Sequence, residues 1–255
     1  ARNYIAGAGA SNTAALGFSG SPATAITESY NGSAWTEVND MNSAREIVTG
    51  IGTQTSALGV GGIPPSALNE SWNGTSWTEV GDLNTARYGS GGAGVDNTSA
   101  LAFGGTAGAV TGVTESWNGT SWTELNDLNT ARDFLGGAGT QTSALGFGGE
   151  STPSFLTAAE SWNGTSWTSV ASLNTGRNGV FSAGADNTSA LCSGGNAPPV
   201  SALTEEWNGS SWTETTDLNT ARYIGGSGGI ASSAINFGGS AAPAASAATE
   251  ERAST

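Results

Sequence analysis

The chain has 255 residues, with 40 Gly, nine Trp, no Lys and no His, and a formal net charge of −14. That length suits one large all-β domain or two small ones; the Gly lacks the three-residue period of collagen, and the Trp content is foreign to disorder. So acidic a chain is repelled by phosphate backbones and anionic membranes, and no apolar run nears the ~20 residues of a bilayer span, so neither nucleic-acid binding nor membrane insertion is expected.

Taken in chain order, the first predicted strand is Ile5-Ala6-Gly7-Ala8-Gly9, just after Arg2. A polar turn and a second strand follow. Its large–small alternation is plain at Leu101 and Phe103, Leu145 and Phe147, and Ile235 and Phe237, as for a strand with one buried face. A Gly pair closes most copies, as at Gly61-Gly62 and Gly194-Gly195. After a variable segment comes a second hairpin, turning on Asn31-Gly32, Asn73-Gly74, Asn118-Gly119, Asn163-Gly164 and Asn208-Gly209. Asn-Gly between apolar or β-branched runs is a strong hairpin signal, because both residues tolerate positive φ.

The pattern then restarts. Its Arg recurs at 2, 45, 87, 132, 177 and 222, a period of 42 to 45 residues. Units of about 1–43, 44–85, 86–130, 131–175, 176–220 and 221–255 run without a linker, so one domain over 1–255 is expected. Four short antiparallel strands per unit suit a propeller blade. The sixth unit has Thr249-Glu250-Glu251 but ends at Arg252-Ala253-Ser254-Thr255, before a second Trp. The expected fold is an all-β, six-bladed β-propeller whose last blade lacks its outermost strand. An open arc cut from a longer chain is the alternative.

The unit resembles the kelch repeat in its Gly-Gly after strand two, in the Trp of strand four (Trp35, Trp77, Trp122, Trp167, Trp212) and in the Arg that opens the next unit. The wording around residues 115–148 is also similar to kelch-like proteins of marine bacteriophages. The resemblance implies that the Gly-rich strand lies innermost, and that the segments after strand two share one face.

The most conspicuous residues have structural explanations. Each Trp recurs at a fixed blade position, as packing between blades requires; Tyr30 replaces the first Trp once. The competing reading is a multivalent lectin with one sugar site per blade, stacking on the first Trp. Arg2, Arg45, Arg87, Arg132, Arg177 and Arg222 match Glu28, Glu70, Glu115, Glu160, Glu205 and Glu250 one to one, so structural ion pairs are expected. Asp40, Asp82, Asp127 and Asp217 are alternative partners, though Ser172 breaks their series. Asn-Gly-Thr/Ser is also a glycosylation sequon, as are Asn97-Thr98-Ser99 and Asn187-Thr188-Ser189, but the hairpin turn explains the first set equally well. The lone Cys192 aligns with small residues and reads as strand packing.

An enzyme is not expected, nor any metal or cofactor. Without His there is no usual general base and no Ser–His triad. No carboxylate pair stands out from the repeat, and near-identical units argue against an asymmetric catalytic set, so a glycosidase-like propeller is the least favoured reading. Function is instead sought where the units differ. One such place is the segment after strand two, which holds all seven Pro (among them Pro64, Pro65, Pro198, Pro199 and Pro243) and Phe155. The other is the position after each Arg: Asn3, Glu46, Tyr88, Asp133, Asn178 and Tyr223, expected to ring one mouth of the channel between near-constant neighbours. The reading is a non-catalytic binding or structural module recognising a protein or glycan, extracellular or virion-associated. Ala1 opens without a signal-peptide pattern, consistent with a processed end or a stretch of a longer protein in a larger assembly.

Overall fold

The computed structural model describes residues 1–241 and 244–253; Pro243, Ser254 and Thr255 lie outside the described residues. All regular structure in it is antiparallel sheet. Blade one is β1 (Ala6–Ser11), β2 (Ala14–Phe18), β3 (Thr27–Tyr30) and β4 (Trp35–Glu37). Blade two is β5 (Thr49–Thr53), β6 (Ser56–Val60), β7 (Asn69–Trp72) and β8 (Trp77–Val80). Blade three is β9 (Gly91–Asp96), β10 (Ser99–Phe103), β11 (Thr114–Trp117) and β12 (Trp122–Glu124). Blade four has β13 (Gly136–Gly139) and β14 (Ala144–Phe147), then an unforeseen hairpin of β15 (Glu150–Ser151) and β16 (Ser154–Phe155), then β17 (Ala159–Trp162) and β18 (Trp167–Val170). Blade five is β19 (Phe181–Asp186), β20 (Ser189–Ser193), β21 (Thr204–Trp207) and β22 (Trp212–Glu214). Blade six has three strands among the described residues: β23 (Gly226–Ile230), β24 (Ser233–Phe237) and β25 (Thr249–Ala253).

The Gly-rich strands β1, β5, β9, β13, β19 and β23 pack against one another in that order, and β23 returns to β1. The ring is closed, so the open arc is excluded. Gly is needed where these strands crowd the axis. A Cβ on Gly50 would fall 2.2 Å from the carbonyl oxygen of Gly7, well inside van der Waals contact.

Between blades the seam is aromatic. In blades one to five the second Trp packs on the last residue of strand two in the blade before it. Ring centroids are 4.6 Å apart for Trp35 and Phe237, 4.8 Å for Trp77 and Phe18, 4.7 Å for Trp167 and Phe103, and 5.1 Å for Trp212 and Phe147. Each buried ring hides ~150–250 Å², at most ~4–6 kcal/mol, in a core otherwise poor in large side chains. Blade five makes a compensating exchange. Ser193 replaces the strand-two Phe, and its cross-strand partner, Gly in several other blades, is Phe181.

Polar groups hold each unit together and also join neighbouring blades. Arg87 and Glu115, both fully buried, meet at 2.7 Å, and the equivalent pair forms in all six units. The Asp series serves elsewhere: Asp40, Asp127 and Asp217 accept the backbone N–H of Thr27, Thr114 and Thr204. Trp77 and Trp167 donate their indole N–H at 3.0 Å to Thr27 and Thr114 of the preceding blade. Gln54, Asn97, Gln141 and Asn187, in the first turn of their blades, reach back to a Ser hydroxyl and a backbone carbonyl of the blade before. The side-chain amide nitrogens of Asn97 and Asn187 are thereby occupied.

Candidate functional site

The propeller has a central channel of about 220 Å³, lined by its innermost strands. Its wall is largely Gly, Ala and backbone, with the hydroxyls of Thr49, Ser90, Ser182 and Ser227. The wall offers little chemistry of its own. What varies is the mouth.

Two residues separate each Arg from the innermost strand's approach. The first is Asn3, Glu46, Tyr88, Asp133, Asn178 or Tyr223. Each forms an antiparallel bridge with the residue just after the strand-two Gly pair: Ser21, Ile63, Thr106, Glu150, Asn196 and Ser240. These bridges press the six positions against the variable loops. They do not themselves line the channel, and Asp133 and Asn178 are buried.

The second residue takes that place: Tyr4, Ile47, Gly89, Phe134, Gly179 and Ile224. All six have φ between +48° and +65°. For Ile, Phe and Tyr the left-handed region costs roughly 1–2 kcal/mol each, and a β-branched residue there is an outlier. At Tyr4, Phe134 and Ile224 the strain is held by backbone hydrogen bonds from blade to blade: Phe134 N donates to Gly89 O, Gly179 N to Phe134 O, Ile224 N to Gly179 O and Tyr4 N to Ile224 O, at 2.7–2.8 Å. Strain of this kind, held by its surroundings, is characteristic of functional sites. The positions vary as much as those before them, so the neighbours are not near-constant. The Gly at two of six copies was the signal of positive φ.

The mouth is asymmetric. On one side Tyr4 is partly buried, and burial, with Tyr223 and Glu46 nearby, pushes its phenol pKa up, so it stays a neutral donor. On the other side Tyr88 meets Phe134 edge-on at 6.2 Å. Next to them lies a polar chain. Thr106 donates to Asp133 Oδ2, and Asn178 Nδ2 donates to Glu150 Oε2 at 2.7 Å. Asp133 Oδ1 is buried and has no hydrogen-bond partner. Burial pushes the Asp133 carboxyl above its ordinary range; burial and then the Asp133 charge do the same to Glu150. A distinctive carboxylate pair therefore does exist, against the sequence expectation. It is assembled across a variable segment, between residues that a repeat alignment keeps in different columns.

The loops around the mouth carry the remaining candidates. Pro64, Pro65, Pro198 and Pro199 are exposed, and Phe155 is half-buried in the extra hairpin, paired with Glu150. The indoles of Trp72, Trp117, Trp162 and Trp207 are at most 2% exposed, so they offer no face to a sugar. The Cys192 thiol, fully buried, is pushed up to about 12. Among the described residues no three His, Cys, Asp or Glu are placed to hold a metal ion, and no helix is long and apolar enough to cross a membrane.

No protein-family model and no curated protein matches the chain. Among solved structures, the "Structure of YjhT" superposes with a TM-score of 0.76 over 97% of this chain and 94% of that one, at 16% sequence identity. At that identity the likeness concerns the fold alone, and the fold is a six-bladed β-propeller.

Proposed function

We propose that the protein is a non-catalytic binding module that recognises a protein or glycan partner at the channel mouth and its surrounding loops. The observation that supports this most is the break in symmetry there. The Arg–Glu pairs and the Trp between blades recur around the ring, whereas the mouth sets strained apolar and aromatic residues beside Asp133, which is buried, and Glu150, which is half-buried. Rigid scaffolds commonly carry recognition on such variable loops. The kelch-like repeat, and its similarity to phage proteins of that type, favours a virion or secreted surface as the setting.

Catalysis is not part of this reading. The near-identical blades speak for a scaffold, and the one thiol is buried in the core. Calorimetry against glycan and peptide panels tests the proposal. One site per chain is expected, weakened at least tenfold by Tyr88→Ala or Asp133→Asn. A stoichiometry near five would overturn it, because it would assign one site to each complete blade.

A further inference from the structure

Blade four differs from the other five at the mouth. Its bridge between the residue after the Arg and the residue after the Gly pair joins two acids, Asp133 and Glu150. The other five bridges join two neutral residues or, at Glu46 and Ile63, one acid and an alkyl chain. The same antiparallel bridge forms each time, so the fold does not require two acids here. Directly opposed residues carry their side chains on one face, and like charges so placed are destabilising.

The pair is also uncompensated. Asp133 is 5% exposed; its Oδ2 accepts the Thr106 hydroxyl, and its Oδ1 has no donor. A buried carboxyl oxygen without a donor is costly. No side-chain cation of this chain is free to offset it. There is no Lys or His, and each of the seven Arg is already held by another carboxylate. The raised carboxyls, Asp133 by burial and Glu150 by burial and then by Asp133, agree with that. Glu150 gives access from outside. It is half-buried, and among the described residues only Asn178 donates to its carboxylate, at Oε2. Aromatic rings stand beside it. Phe134 follows Asp133 in the chain, and Tyr88 lies across its own bridge from the Thr106 that holds Asp133. Both rings are half-buried, and they meet edge-on.

We infer that this corner of the mouth binds a guanidinium group, the side chain of an Arg on a partner protein, which pairs with Glu150, offsets the Asp133 carboxyl beneath it and packs on Tyr88 and Phe134. A guanidinium is planar, stacks on aromatic rings and forks onto carboxylates, so it matches both halves of the corner. The inference rests on the reading of the mouth as a recognition site, and it narrows the ligand to an arginine-bearing protein segment. The net charge of −14 draws such a segment in, whereas a neutral glycan would leave both acids uncompensated.

The test titrates the unaltered 255-residue protein with the peptide acetyl-Gly-Gly-Arg-Gly-Gly-amide, and with the same peptide carrying citrulline, the neutral isostere of Arg. Binding is followed by NMR of the carboxyl carbons and Tyr rings. Saturable shifts at Asp133, Glu150 and Tyr88 are expected with the Arg peptide, and affinity about tenfold lower with citrulline. Glu150→Gln should weaken the Arg peptide by a similar factor. Glu124→Gln, at an exposed acid on β12, should not, which separates the site from the general attraction of an acidic protein. Equal binding of the two peptides, or binding indifferent to Glu150→Gln, overturns the inference. A glycan bound at the mouth with no binding of the Arg peptide overturns it too, and leaves the mouth as a recognition site; binding of neither overturns both readings.

Discussion

Asp133 and Glu150 face each other across an antiparallel bridge, exchanging backbone hydrogen bonds of 3.0 and 2.9 Å, and both carboxyls are raised above their ordinary range, first by burial. Both hold protons more tightly in the folded state than in the unfolded chain. Their contribution to stability is therefore present below the ordinary carboxylate range of about 4 and is lost as pH rises through the raised folded values. Asp133→Asn should flatten the pH dependence of stability between the ordinary and raised values. It should also bring the Glu150 titration down, as read by carboxyl-carbon NMR. An unchanged Glu150 titration would show that the two do not interact.

The six ion pairs should differ sharply in worth. Glu115 is fully buried against Arg87, so Glu115→Gln leaves a buried guanidinium uncompensated and should cost roughly 3–5 kcal/mol. Glu28 is 38% exposed, and solvent screens its pair with Arg2, so Glu28→Gln should cost about 1 kcal/mol or less. Urea titration of both variants compares them directly.

Thr27 and Thr204 occupy equivalent positions in blades one and five with opposite consequences. Thr27→Val leaves the Trp77 indole N–H buried and unpartnered, at a cost of about 1–3 kcal/mol. Thr204→Val removes a hydroxyl that has no partner, and should be neutral or slightly stabilising. Thermal denaturation of the two variants decides it; equal losses would mean that the Trp77 bond is of no account.

The packing of the inner ring makes Gly50 intolerant. Gly50→Ala puts a methyl 2.2 Å from the Gly7 carbonyl, backbone against backbone, with no side chain free to yield. A loss of ~3 kcal/mol or more is expected, or failure to fold. Soluble expression and circular dichroism would show this.

Cys192 should be inert to thiol reagents in the native protein. It is fully buried, and its pKa, pushed up to about 12, leaves almost no thiolate at neutral pH. Alkylation should proceed only on unfolding, so mass spectrometry after iodoacetamide treatment with and without urea reads it out.

The fold was legible because each constraint was written several times. Asn-Gly turns, alternating strand two and the Arg–Glu match recur at one period, and each repeat reports the same blade. The mouth was only half legible. Varying positions pointed to its neighbourhood, but the residues that reach the axis are the next ones along. Their left-handed backbone showed only where Gly89 and Gly179 stand.

The sequence by itself determined the blade and the number of blades, because these are local patterns of hydrophobic period and turn chemistry. Only the tertiary structure decided ring closure, the pairing of Asp133 with Glu150, and the difference between Thr27 and Thr204. The physical reason is that each of these depends on a neighbour from another strand or blade. Thr27 and Thr204 are the same residue in the same local pattern, and what separates them is whether the next blade brings a Trp to its hydroxyl.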